Sequence, residues 1–309
     1  MNLISARSIS LPARLTINQD VWLEVLRYFR ISLAEDSTGE IRGKRATLLS
    51  AALSCPAIAE PALDELWRSM TSLEAVLGVF GDASYGKSVG LVFVEDDDDE
   101  SWDLSMSPAE SSKYLPRIQK SLQRVRYLHF DSWPSDKELS LWQSLAALIR
   151  TPVLCSNLKS LWLDMQNFCD GDLISAPCLF LILSSTLKTL TLLNCPKGPR
   201  LRTAHLLLSM LKSHDTSLLE ISYHGHTDDK TFRLISEFPS LKSIKIREYL
   251  DSEDDEGYLK IEDFKDLRHN ASLTTIEFDI DIVSVDDEEE LGPSLTSLEA
   301  LCDLTLCIH

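Results

Sequence analysis

Seven copies of one six-residue pattern, apolar-x-x-apolar-x-apolar, run from the middle of this 309-residue chain to its end. They are Val125-Arg-Tyr-Leu-His-Phe130, Leu158-Lys-Ser-Leu-Trp-Leu163, Leu187-Lys-Thr-Leu-Thr-Leu192, Leu218-Leu-Glu-Ile-Ser-Tyr223, Leu241-Lys-Ser-Ile-Lys-Ile246, Leu273-Thr-Thr-Ile-Glu-Phe278 and Leu301-Cys-Asp-Leu-Thr-Leu306. Their starts lie 33, 29, 31, 23, 32 and 28 residues apart, a period that suits one strand and one helix per copy. Stretches between the copies, such as Leu139 to Ile149 and Ala204 to Lys212, carry helical spacing. One strand-helix unit cannot bury its apolar positions alone, whereas stacked units can. The expectation is an α/β chain with parallel strands about 4.8 Å apart and wider helices behind them, so that the stack curves with its strands on the concave side.

The pattern resembles the leucine-rich-repeat family, whose motif continues to Asn or Cys eight residues after the first leucine. Cys195 satisfies that position, while Trp133, Gln166, His226, Tyr249 and Asp281 stand there in other copies, so uneven turns are expected. Strand alternation directs the residue between the last two apolar positions away from the core. His129, Trp162, Thr191, Ser222, Lys245, Glu277 and Thr305 therefore form the expected concave, substrate-binding face. Trp162 has the residue type of a binding hot spot, and it could equally be covered by a neighbouring loop.

The formal net charge is −18, from 48 acidic and 30 basic residues. Such a chain is repelled by phosphate backbones and anionic lipid, which sets aside nucleic acid and membrane as partners. Much of the excess sits in Glu95 to Glu100, Glu253 to Glu256 and Asp286 to Glu290, read as solvated loops or as a patch for a basic substrate. Seven scattered cysteines form no C-x-x-C pair, and the first fifteen residues are broken by Arg7, Pro12 and Arg14. Reduced thiols and a cytoplasmic or nuclear location follow as expectations. In such a compartment the sequon Asn270-Ala271-Ser272 meets no glycosylating enzyme.

Gly81-Asp-Ala-Ser-Tyr-Gly-Lys-Ser88 matches the phosphate-binding pattern G-x-x-x-x-G-K-S. A working phosphate loop follows a strand and opens a helix, whereas Leu73 to Phe80 reads as helix and Val89 to Val94 as strand, so no cofactor is expected. His224 and His226 stand at a strand end without a third ligand, and neither a metal nor a catalytic constellation is expected.

Ahead of the repeats, Ile17 to Phe29 places apolar residues on one wide helical stripe. A polar insertion is expected over Glu35 to Lys44, then short helices over Ala46 to Met70, the last beginning near Pro61. The segments Ile17 to Phe29, Leu48 to Cys55 and Glu60 to Arg68 resemble in order the three helices of an F-box, particularly the divergent F-boxes that precede leucine-rich repeats in mushroom-forming fungi. Asn18 replaces the opening proline, and Pro56 replaces the basic residue after the cysteine.

The resemblance implies an F-box-like domain over 15–80, an acidic linker over 81–107 and a leucine-rich-repeat solenoid over 108–309. It further implies a non-catalytic substrate receptor of an SCF-type ubiquitin ligase, with a Skp-family adaptor on a cullin scaffold as partner and a protein substrate on the repeats. Ile17, Val21, Trp22, Val25, Leu26, Leu49, Leu53 and Trp67 would supply the adaptor surface and the bundle core. The alternative is a repeat scaffold whose helical bundle only caps the first repeat. The last copy lacks a polar capping unit, so either a truncated gene product or an exposed edge prone to self-association is expected.

Overall fold

The computed structural model describes residues 19–33, 35–73, 76, 91–96, 99–104, 108–131, 136–166, 176–198, 201–248, 267, 270–280 and 303–308. The chain divides into two compact units, Met1–Leu66 and Trp67–His309.

The first unit is helical: α1 (Gln19–Arg27), α2 (Thr38–Ser54) and α3 (Pro56–Arg68), the last two residues of α3 belonging to the second unit. Leu26, Leu48 and Ala62, one from each helix, form its core, with Phe29, Ala51, Ala52 and Leu66 packed around them. The polar stretch expected to separate helices is largely α2 itself. Ser37 Oγ accepts from Glu40 N at 3.4 Å and Glu40 Oε2 accepts from Ser37 N at 2.8 Å, a capping box that starts the helix. Lys44 Nζ then donates to Asp36 Oδ1 at 2.7 Å and to Arg30 O at 3.0 Å, pinning the α1–α2 connection. That ammonium holds the Asp36 carboxyl below its ordinary pKa.

The last helix begins at Pro56, five residues before the expected Pro61. Cys55 is extended, so Pro56 fills the first helical position, where a missing N–H costs nothing. Pro61 lies inside the helix, where its ring removes one backbone bond.

The second unit runs β1 (Ser69–Met70), β2 (Leu91–Asp96), β3 (Asp99–Leu104), α4 (Pro108–Arg124), β4 (Tyr127–Phe130), α5 (Asp136–Ile149), β5 (Ser160–Asp164), a 3-10 helix (Ala176–Leu181), β6 (Thr189–Cys195), α6 (Leu201–Ser213), β7 (Glu220–Gly225), α7 (Asp229–Ser236), β8 (Ser243–Glu248), β9 (Thr275–Ile280) and β10 (Asp303–Ile308). The seven strands β4 to β10 form one parallel sheet in strict chain order, with the two-residue β1 added beside β4. The segment 81–107, expected as a loop, contains a hairpin. β2 and β3 pair antiparallel from Leu91↔Leu104 to Asp96↔Asp99, with Glu95 opposite Glu100 and Asp96 opposite Asp99 at one end of the pair.

Each of the first six copies contributes a strand whose two inward residues are buried. Leu128 and Phe130, Leu161 and Leu163, Leu190 and Leu192, Ile221 and Tyr223, Ile244 and Ile246, Ile276 and Phe278 join a single core. The helices contribute Ile118 and Leu122 from α4, Leu139, Trp142 and Leu145 from α5, Leu207 and Leu211 from α6, and Phe232 and Ile235 from α7. The sheet is parallel because each strand returns through a crossover long enough to reverse the chain. Its inward face is near-continuously aliphatic because those crossovers cover it.

One backbone carbonyl per copy locks the register. The amides of Lys159 and Ser160 both donate to Arg126 O, at 2.8 and 3.0 Å. Those of Lys188 and Thr189 do the same to Lys159 O, and those of Thr274 and Thr275 to Lys242 O. Polar side chains just before each strand brace the preceding copy: Asn157 Nδ2 donates to Gln123 O, Ser184 Oγ to Ser156 O, and Asn270 Nδ2 to Phe238 O, each at 2.8 Å.

Candidate functional site

The outward positions of the strands line up without a slip. His129 pairs with Trp162, Trp162 with Thr191, Thr191 with Ser222, Ser222 with Lys245, Lys245 with Glu277 and Glu277 with Thr305. All seven residues expected on this face occupy one row across it. Thr305 is exposed and the other six are half-buried, as side chains standing beside one another on a pleated surface must be.

The row changes character along its length. At β4 and β5 the His129 and Trp162 rings stack with centroids 4.3 Å apart and planes 22° from parallel. Asp131 Oδ1 lies 3.1 Å from His129 Nε2. Asp164, next outward on β5, accepts from Gln166 N at 2.8 Å and from Asn194 Nδ2 at 2.9 Å. Burial lowers the His129 pKa, opposed by the Asp131 and Asp164 charges, so the ring stacks in its neutral form near neutrality. Trp162 Nε1 is buried and has no hydrogen-bond partner among the described residues.

The middle of the face is made of small hydroxyl residues, Thr189 and Thr191 on β6 with Ser222 on β7, where Ser222 Oγ and His224 Nε2 meet at 2.9 Å. At β8 and β9 two cross-strand ion pairs, Lys245–Glu277 and Arg247–Asp279, neutralise one another. Burial first, then the Arg247 and Lys245 charges, lower the His224 pKa. His224 is thus hydrogen-bonded to Ser222 and lies near both members of the two ion pairs, Arg247 and Lys245 with Asp279 and Glu277. Among the described residues no three His, Cys, Asp or Glu side chains come together.

A second surface lies on the first unit. Val21, Val25 and Tyr28, spaced as one helical stripe on α1 and the turn after it, are 56, 39 and 86% exposed. Leu49 and Leu53 form a like stripe on α2, and Leu53 is 79% exposed. Leu23 is exposed as well, and Trp22 is half-buried. Of the remaining residues expected at an adaptor surface, Leu26 is in the core of the unit and Trp67 packs against the core of the second unit. Both are packing residues of the set expected to supply the adaptor surface and the bundle core. A helix this short must give one face to the core, and Leu26 faces Leu48 and Ala62. Ile17 and the phosphate-loop-like segment Gly81 to Ser88 lie outside the described residues. Tyr28 was not singled out in the sequence, although Val21-x-x-x-Val25-x-x-Tyr28 is a legible i, i+4, i+7 stripe.

No protein-family model matches the chain, and no curated protein matches it.

Proposed function

We propose that this chain is the substrate-recognition subunit of an SCF-type ubiquitin ligase. Its helical unit would dock a Skp-family adaptor on a cullin scaffold, and its repeats would form a curved leucine-rich-repeat solenoid that holds a protein substrate. The observation that carries the reading is where exposed apolar surface sits. Among the described residues, six of the seven exposed large hydrophobic side chains, all but Tyr127, fall in the first unit. A folded chain that leaves valine, leucine and tyrosine in water on two helices has a partner for them.

The solenoid reading is supported by the strict chain order of the strands and by the carbonyl and side-chain braces that tie each copy only to its predecessor. In this role the protein performs no bond chemistry. It raises the local concentration of a substrate lysine near the charged conjugating enzyme, so its contribution is proximity.

The test is co-expression of the full chain with a Skp-family adaptor followed by gel filtration. The expected result is a stoichiometric complex that is lost in Val25→Asp/Leu53→Asp, two exposed positions, with the far-UV circular dichroism retained. A folded chain that forms no complex would leave an interaction scaffold with a helical cap.

A further inference from the structure

The β4–β5 end of the open sheet face brings together three properties that no other part of the described face combines. It is aromatic, with Tyr127 40% exposed at the start of β4 and the His129–Trp162 stack beside it. It is acidic, because Asp131, 79% exposed on its side chain, and Asp164 are the charges that act on His129, and both are carboxylates. It is bordered by small residues: His129 covers one face of the Trp162 indole, and the next residue along the row on the other side is Thr191. A threonine one strand away, about 4.8 Å, is shorter than the indole beside it, and Trp162 is half-buried, with Nε1 itself buried.

A half-buried aromatic ring beside carboxylates complements a cation carried on a flat or apolar stem. The ring quadrupole attracts the charge, and the carboxylates accept its N–H groups. Arginine suits this better than lysine, since its planar guanidinium stacks and donates in a fork at once. At the opposite end the lysine and arginine are already paired with Glu277 and Asp279, so that end offers a cation neither attraction nor net repulsion. We infer that the open face binds a basic segment of its protein partner, with an arginine side chain lying on Trp162 over Thr191 and its guanidinium turned toward Asp131 and Asp164. This deepens the receptor reading by giving the substrate's chemistry, and it rests on that reading's assignment of the open face.

The test uses the full chain without adaptor, so its outcome is separate from that of the adaptor complex. Fluorescein-labelled twelve-residue Gly/Ser peptides carrying three arginines, three lysines or three glutamates are titrated by anisotropy at physiological salt. The arginine peptide is expected to bind more tightly than the lysine peptide, and the glutamate peptide not at all. Trp162→Leu and Asp131→Asn are each expected to weaken arginine-peptide binding about 5- to 10-fold. Asp229→Asn, the same charge change on the first turn of α7, is expected to leave it unchanged. Thr191→Phe, which fills the space over the indole and leaves the stack and both carboxylates in place, is expected to weaken it equally, so the outcome does not hang on the folding of Trp162→Leu. Binding that falls as much in Asp229→Asn as in Asp131→Asn would show attraction to overall charge alone. That result, equal binding of the glutamate peptide, or no binding of the arginine peptide would overturn the proposal.

Discussion

His205 on α6 places Nε2 3.0 Å from Asp228 Oδ1, and Asp228 is the residue that caps the N-terminus of α7. The same carboxylate oxygen accepts from Thr231 N and from Thr231 Oγ1, both at 2.8 Å. An ionised carboxylate only accepts, so His205 donates from Nε2. A side chain from one crossover helix thereby fixes the start of the next. Asp228→Ala removes the cap and leaves the buried His205 Nε2 only Thr231 Oγ1, at 3.0 Å, and is expected to cost about 2 kcal/mol, against about 1 kcal/mol for Asp228→Asn, which retains the cap acceptor. Urea unfolding of the two variants gives the difference.

Burial lowers the His205 pKa from its ordinary value of 6.5, against the pull of Asp228. His129 and His224 are lowered by burial as well. With folded pKa values below the unfolded one, the unfolded chain binds more protons in the interval between them, and stability rises with pH there. This contribution is fully present above about pH 6.5 and is lost as pH falls through the folded values. The Tm is expected to drop between pH 7 and 5, less steeply in His205→Gln. An unchanged slope in that variant would remove His205 from the account.

Gly225 ends β7 with φ +127°, and a Cβ there would come 2.8 Å from Cys195 Cα and nearer still to the Cys195 backbone N and carbonyl O. Gly225→Ala therefore meets fixed backbone and is expected to cost about 3 kcal/mol. Gly198, at φ +64° with open space around it, is expected to lose only about 1 kcal/mol on the same change. Chemical denaturation of the pair separates steric collision from dihedral strain.

Asn270 is buried, donating to Phe238 O and accepting from Ser272 N at 3.1 Å. Its sequon is thus a brace between copies. Asn270→Ala is expected to cost about 1 kcal/mol by removing one of the two bonds to the Phe238 carbonyl, which keeps the Leu241 amide at 3.2 Å, measured again by denaturation. If it proves neutral, the cross-copy brace contributes nothing.

The repeats were legible because each apolar position has the same neighbours in every copy, so residues such as Leu161 and Ile244 are required by their own spacing and by the copies beside them. The outward row from His129 to Thr305 followed from alternation alone. Its contacts did not: the His129–Trp162 stack and the Lys245–Glu277 pair join copies 33 and 32 residues apart, and no local pattern announces such partners. The N-terminal half of α2 was missed although Ser37-Thr-Gly-Glu40 is a capping box in plain view, because two glycines and three charges between Gly39 and Lys44 dilute the helical signal. Pro56 was passed over for Pro61 because either proline can open a helix. What decides is the extended Cys55 before Pro56, a backbone property that residue types do not carry.

Leu48 and Leu53 sit five residues apart on α2, yet Leu48 is wholly buried between Leu26 and Ala62 while Leu53 is 79% exposed. The same substitution at the two positions therefore separates folding from docking. Leu48→Ala empties a site in the buried cluster of Leu26, Leu48 and Ala62 and is expected to cost about 2–5 kcal/mol, enough to unfold a helical unit of this size. Leu53→Ala removes surface that already meets water, and is expected to change stability by less than about 0.5 kcal/mol. If α2 docks an adaptor, that variant loses binding with its melting curve intact, since an exposed leucine contributes only once a partner covers it. Gel filtration with the adaptor and thermal unfolding of the free chain give both readings on each variant. Loss of stability at Leu53 would place that side chain in a core, and loss of neither property would remove α2 from the docking surface.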